Sequence, residues 1–304
     1  MPPTVVERWG VTMVMDIMPP QEPDDISGVW VGTSGYSYPE WVDAGFYPVG
    51  TRPGQMLPFY AQRFPAAELN YTWYQMPKAS AIDRMRRQVP PGFRFAAKLT
   101  RTMTHEVDRD QWRGQVARYR EGVAPLVLAG QLAAVLLQLP ASFERTHARR
   151  HYLAALLDEL AELPLAVEFR HVSWATDRVF AELENRRVAL VAVDGPALPY
   201  LFPPLDAVTS PDLFYVRFHG RNTVGWRSGN MQKQFDYDYG TAELNEWAAS
   251  RIVPMAGRCR RGLVFFNNHV RAQAPANARQ LSTMLAEQGL LENASWIDTS
   301  STST

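Results

Sequence analysis

Two rhythms of apolar and polar residues alternate along this chain. Short segments with a two-residue period are followed by longer ones in which apolar residues recur every three to four positions. The pair of rhythms repeats eight times. Strands are expected at 28–33, 67–71, 93–99, 133–139, from 165 onward, and at 188–193, 213–218 and 263–267. Helices are expected at 55–64, 78–88, 111–128, 146–163, 177–185, 242–252 and 276–287. Only the sixth strand lacks a clear helix after it, its connection being rich in proline. Eight βα units in one chain predict an α/β fold, a single (β/α)8 TIM barrel. The competing architecture, an open doubly wound sheet, usually carries G-x-G-x-x-G in its first turn. Gly32-Thr33-Ser34-Gly35 lacks that spacing.

Parity within the strands then separates their two faces. In the fifth strand Leu165, Val167 and Phe169 alternate with Ala166, Glu168 and Arg170. The third sets Phe93, Phe95 and Ala97 against Arg94, Ala96 and Lys98, and the seventh sets Phe214, Val216 and Phe218 against Tyr215, Arg217 and His219. Glu68 goes with Asn70, Gln138 with Leu136 and Asp194 with Ala192. Large apolar side chains are expected to face the helices. Glu68, Asn70, Lys98, Gln138, Glu168, Arg170, Asp194, Arg217 and His219 are expected to converge inside, at the C-terminal mouth where sites of this fold lie. Buried charges persist only when paired, and here two Glu and one Asp face two Arg and one Lys. The plain alternative is a set of ion pairs that only fills the core.

Composition narrows the function classes. Hydrophobic residues make up 46% of the 304 positions, enough for a packed core. Lys+Arg and Asp+Glu both total 31, so the basic excess of a dedicated duplex binder is missing. Cys259 is the single cysteine, which excludes an intrachain disulfide and a cysteine-based zinc site. No apolar run reaches the ~18 residues of a spanning helix, so no membrane partner and a cytoplasmic location are expected. Residues 1–26 are expected to form an N-terminal extension, 27–290 the barrel, and 291–304 a flexible Ser/Thr-rich tail.

Four histidines, His105, His171, His219 and His269, fall just after expected strands. No H-E-x-x-H or two-His-one-carboxylate spacing accompanies them, so no metal ligands are assigned and the cofactor is unknown. The loop from Gly220 to Gly240 is unusually long and carries Arg221, Asn222, Trp226, Arg227, Tyr237 and Tyr239. Long loops in compact domains are often lids or binding loops. Phosphate often binds after strands seven and eight of a barrel, which would suit Arg221 and Arg227.

Several blocks together resemble the DUF72 (YecE-like) family. They are Gly32-Thr33-Ser34-Gly35-Tyr36-Ser37-Tyr38-Pro39-Glu40-Trp41 with Phe46-Tyr47-Pro48, and Glu68-Leu69-Asn70-Tyr71-Thr72-Trp73-Tyr74. Phe95-Ala96-Ala97-Lys98 with Thr104-His105, and Glu168-Phe169-Arg170-His171 with Ser173-Trp174, follow. Val216-Arg217-Phe218-His219-Gly220-Arg221, Gly225-Trp226-Arg227 and Phe266-Asn267-Asn268-His269 complete the series. Tyr36 stands where that family commonly has Trp, and Tyr71 and Trp73 flank Thr72 where Ser and Phe are usual. The resemblance implies a TIM barrel and no settled activity, with an endonuclease IV-like role suggested for the family by structural analogy.

Three functional readings follow. The first is a metal-independent enzyme acting on a small anionic substrate, such as a phosphorylated sugar or a nucleotide. Glu68, Lys98, Glu168, Arg170 and His219 would carry its chemistry, Lys98 as a Schiff-base nucleophile in one variant. Ser34, Tyr36, Asn70, His105, Gln138, His171, Asp194, Arg217, Arg221, Trp226, Asn267 and Asn268 would bind the ligand. The second is a nucleic-acid binding or processing protein, motivated by loop aromatics beside arginines. The third is a barrel that binds the same ligand without turning it over.

Overall fold

The computed structural model describes residues 28–291. The expected extension at 1–26, and all but the first residue of the expected tail, lie outside the described residues. Eight parallel strands close into one barrel in chain order. They are β1 (Gly28–Ser34), β2 (Ala66–Leu69), β3 (Arg94–Lys98), β4 (Leu132–Gln138), β5 (Leu165–Glu168), β6 (Ala189–Asp194), β7 (Phe214–Phe218) and β8 (Arg261–Phe266). β1 closes the ring against β8, Trp30 opposite Leu263 and Thr33 opposite Phe266. Helices Pro53–Tyr60, Ala79–Arg86, Trp112–Leu128, His147–Glu159, Asp177–Asn185, Thr241–Trp247 and Gln273–Glu287 pack outside. The β6–β7 connection holds no helix, as its prolines led one to expect.

Local chemistry sets these boundaries. The Thr146 side chain accepts from the Arg149 backbone N–H and caps the helix that follows. Pro164 breaks the chain ahead of β5, and its carbonyl accepts from Val135 N–H at 2.7 Å. Gly32 lies where β1 and β2 nearly touch: an added Cβ would stand 2.1 Å from the Ala66 carbonyl oxygen. Only glycine permits that approach.

The barrel interior is filled unevenly. Ala66, Ala96, Ala134 and Ala166 point in from β2 to β5, while Trp30, Tyr215, Leu263 and Phe265 point in from the opposite side. Large side chains on β7, β8 and β1 therefore cross the axis to meet small ones. Facing the helices, Val29, Ala67, Phe95, Val216 and Phe266 join one outer cluster, and Val135, Leu137, Val167 and Phe169 join another. Each large apolar side chain buried there is worth about 1.5–3 kcal/mol.

The structure corrects several expectations. β2 stops at Leu69, and Tyr71–Tyr74 forms a short helical turn that lets Asn70 face the mouth. The expected helix at 242–252 passes through a π-helical turn at Ala248–Ile252. The long loop after β7 is itself folded. Gly220 turns the chain at φ +86°, and helices Thr223–Arg227 and Met231–Gln234 follow. Asn222 ties the two together, its Oδ1 accepting from Gly225 N–H and its Nδ2 donating to the Lys233 carbonyl. On β6 the expected parity is reversed. Val191 and Val193 face inward, while Asp194 lies in register with helix-facing Phe218.

Candidate functional site

Above the apolar interior the strand register builds a polar tier. Ser34 lies beside Glu68 on adjacent strands, and Gln138 beside Glu168. Arg217 reaches across from β7 and binds both acids. Its Nη2 is 2.6 Å from Glu68 Oε1, its Nη1 is 2.6 Å from Glu168 Oε2, and Nη2 also donates to Ser34 Oγ at 3.2 Å. Tyr215 Oη donates to the other Glu68 oxygen at 2.7 Å. Arg170 pairs with Glu168 Oε1 through Nε. Arg217 is 1% exposed, and Glu68, Glu168 and His219 are 0% exposed. The cluster is therefore buried, and every carboxylate oxygen in it has a donor.

His219 completes the tier. Its Nε2 stands 3.0 Å from Arg170 Nη2 and 3.1 Å from Glu168 Oε1, and its Nδ1 stands 3.1 Å from Asn267 Nδ2. Burial first, and the Arg170 charge next, push its pKa down to about 3, so the ring stays neutral. Arg170 and Arg217, with His219, hold Glu168 well below the usual carboxylate range against its own burial.

A cavity of about 750 Å³ opens over this tier. Glu68, Lys98, Arg170 and Arg217 reach its floor and walls. Lys98, at the tip of β3, has its Nζ 5.1 Å from the Trp73 ring centroid. Burial, then the Arg217 charge, lower its pKa to about 7, although Glu68 and Glu168 pull the other way. Two carboxylates and two guanidiniums balance, so a protonated Lys98 leaves one positive charge facing the cavity. His105 also lines it, accepting from Trp73 Nε1 at 3.4 Å, and burial lowers its pKa to about 4. Among the described residues no group of three or more His, Cys, Asp and Glu is gathered to hold a metal ion.

The structure sorts the expected site residues into three places. Glu68, Lys98, Arg170, Tyr36, Asn70, His105, Gln138, Arg217, Trp226 and Asn267 line the cavity. Ser34, Glu168 and His219 lie beneath it and orient the arginines. Four do not join the site. Asp194 accepts from Tyr239 Oη at 2.7 Å, from Trp247 Nε1 at 2.5 Å and from Arg221, all on the helix side of the barrel. Arg221 is occupied by Asp194 and Glu243 and is not available to hold an anion at the mouth. Asn268 donates to the Tyr237 carbonyl and to Asn277 behind β8, because its parity is opposite to that of Asn267. His171 accepts from Ser173 N–H at the start of a helical turn, outside the cavity. Arg227 is exposed at the end of its short helix and does not line the cavity.

Sequence parity missed the roof and rim. Tyr38, Tyr200 and Phe235 come from loops, Met231 and Gln234 from the short helix between β7 and β8, and His269 stacks on Tyr38 with ring centroids 4.8 Å apart. A strand period carries no information about loop residues. The block around Gly35-Tyr36-Ser37-Tyr38 was a signal for the first of them.

Fold and site together define a parallel (β/α)8 barrel with a buried ion cluster and a polar cavity at its C-terminal mouth. Comparison with known proteins makes this specific: the chain belongs to the family described as "Protein of unknown function DUF72", which it matches over residues 30–299. It is 25% identical to UPF0759 protein YunF of Bacillus subtilis (strain 168) over 272 residues, 84% of this chain and 94% of that protein. UPF0759 protein YecE of Escherichia coli (strain K12) is 30% identical over 145 residues, 47% of this chain and 48% of that protein. A solved DUF72 family protein from Thermotoga maritima MSB8 is 33% identical, with a TM-score of 0.75 over 85% of this chain and 99% of that one. One from Enterococcus faecalis V583 is 26% identical, with a TM-score of 0.77 over 85% of this chain and 95% of that one. No helix among the described residues is long and apolar enough to cross a membrane.

Proposed function

We propose that this protein is an enzyme that acts on a small anionic carbonyl compound, such as an open-chain phosphorylated sugar or a 2-oxo acid, through an imine on Lys98. The observation that carries the reading is the placement of Lys98. Its amine sits in a walled cavity beside two anchored guanidiniums, with a pKa of about 7. About half of that amine is therefore the neutral nucleophile at neutral pH. Its lone pair attacks the carbonyl carbon while the carbonyl electrons move to oxygen, which takes a proton. Loss of the amine proton, and of the oxygen as water after a second protonation, leaves the iminium. Arg170, which is 12% exposed at the cavity wall, holds the anionic group, the buried Arg217 adds its charge from beneath, and the neutral His105 relays protons. Glu68 and Glu168, with every oxygen accepting, serve as counter-ions that fix the guanidiniums rather than as bases.

Borohydride reduction in the presence of phosphorylated sugars and 2-oxo acids tests this. The expected result is a substrate-dependent mass adduct on Lys98 that Lys98→Met abolishes. A panel that leaves Lys98 unmodified refutes the imine mechanism.

A second reading, nucleic-acid binding, is favoured by one observation. Tyr74 and Tyr200 are 55% and 46% exposed at the cavity rim, where bases could stack. Salt-dependent binding to single strands is then expected, and a flat titration at low salt removes this reading.

A further inference from the structure

The mouth of the barrel has two chambers. A second cavity, of about 410 Å³, lies over the tips of β5 and β6, and its wall shares Arg170, Leu201 and Trp226 with the first. Its other side chains are apolar, among them Phe169, Val193, Leu198, Phe202 and Pro199. The proline-rich connection after β6 forms its outer side and is stapled in place by backbone pairing. Val172 N–H donates to the Tyr200 carbonyl at 3.0 Å, Phe202 N–H donates to the Arg170 carbonyl at 3.0 Å, and His171 bridges Leu201. The chamber is thus a built feature of the loop. The partition is a cation–π contact, with the Arg170 guanidinium carbon 5.2 Å from the Trp226 ring centroid. Trp226 Nε1 is buried and has no hydrogen-bond partner.

We infer that this second chamber receives an apolar group, aliphatic or aromatic, of the same substrate whose anionic carbonyl end lies at Lys98. The inference rests on the imine reading for the first chamber and narrows its substrate class. A sugar ring placed in the second chamber would leave hydroxyls without partners against its apolar side chains, at a cost in affinity. A branched chain or phenyl ring would lose water from its surface at no such cost. A volume of this size takes a phenyl ring or a branched alkyl chain with room to spare. The favoured substrates are therefore 2-oxo acids or similar anionic carbonyl compounds with an apolar tail, not polyhydroxylated phosphates.

Two measurements test this. The first compares borohydride trapping rates on Lys98 for pyruvate, 4-methyl-2-oxopentanoate and phenylpyruvate. The larger acids should react roughly tenfold faster or more, and Ala197→Trp, which fills the chamber from an exposed loop position, should bring the ratio to about one. Equal rates in the wild type, or a ratio that Ala197→Trp leaves intact, overturns the inference while leaving the imine reading standing. The second uses no carbonyl chemistry. Phenylacetate should raise the melting temperature more than acetate does, and the difference should vanish in Ala197→Trp. If no acid traps on Lys98, the imine reading has failed and this second arm alone decides the chamber. A phenylacetate shift equal to that of acetate would then overturn it.

Discussion

Two acid–guanidinium clusters sit within one barrel and differ in what they leave over. Around Asp194 the account closes locally. Its two oxygens take Arg221, Tyr239 and Trp247, and the remaining Arg221 nitrogen takes Glu243. Nothing there faces the cavity, and the cluster pins the base of the loop that carries Trp226 to the outside of the barrel. Inside, Glu68 and Glu168 are closed by Arg217, Arg170, Tyr215 and His219, but the arginines and Lys98 also form cavity wall. The same residue types thus serve as a clasp in one place and as the floor of a cavity in the other. Which face of the strand they occupy makes the difference.

The largest effect expected from breaking this contrast is on stability. Arg217→Met strands two buried carboxylates and should cost about 3–5 kcal/mol in denaturant unfolding. Asp194→Asn should cost less, about 1–3 kcal/mol, because Arg221 is partly exposed and keeps Glu243. A loss for Asp194→Asn as large as that for Arg217→Met would erase the distinction between the two clusters.

The next effects are on pH dependence. His219 is neutral in the folded state down to about 3, while an ordinary imidazole protonates near 6.5. Between those values the unfolded chain holds the extra proton, so stability falls as the solution is acidified. His219→Gln should flatten that part of the acid limb in melting experiments, and an unchanged limb would mean the ring is not the group responsible. Lys98 has the same sign over a higher window. The folded amine loses its proton near 7 and the unfolded one near 10.5, so stability rises with pH between them. Lys98→Met should remove that rise and produce no loss at pH 6. A destabilised Lys98→Met protein at pH 6 would make Lys98 a structural cation.

The barrel itself was legible from periodicity because all eight strands keep an apolar parity, and several end at Gly, Pro or Asn, such as β1 at Gly35, β4 at Pro140 and β7 at Gly220. The inner cluster was legible on β2, β3, β5 and β7 because one parity there is large and apolar and the other ends in charge. On β6 both parities are apolar, Val191 and Val193 against Leu190 and Ala192, so Asp194 offered no cue to its side. Its direction is set by packing that no local pattern encodes: register with Phe218 and a hydrogen bond from Trp247, 53 residues away in sequence. Arg221 was expected at the mouth from its place after β7, and its pairing with Asp194 draws it to the other face. The second chamber was equally hidden, because its shape depends on how a proline-rich segment folds back onto the strand before it.

The most direct measurement is the pH profile of Lys98 acylation by limiting reagent, read by mass spectrometry at that residue. A midpoint near 7 is predicted, two or more units below that of surface lysines. A midpoint at the ordinary 10.5 would show that the amine is a solvated cation and contradict the assignment of this cavity to amine chemistry.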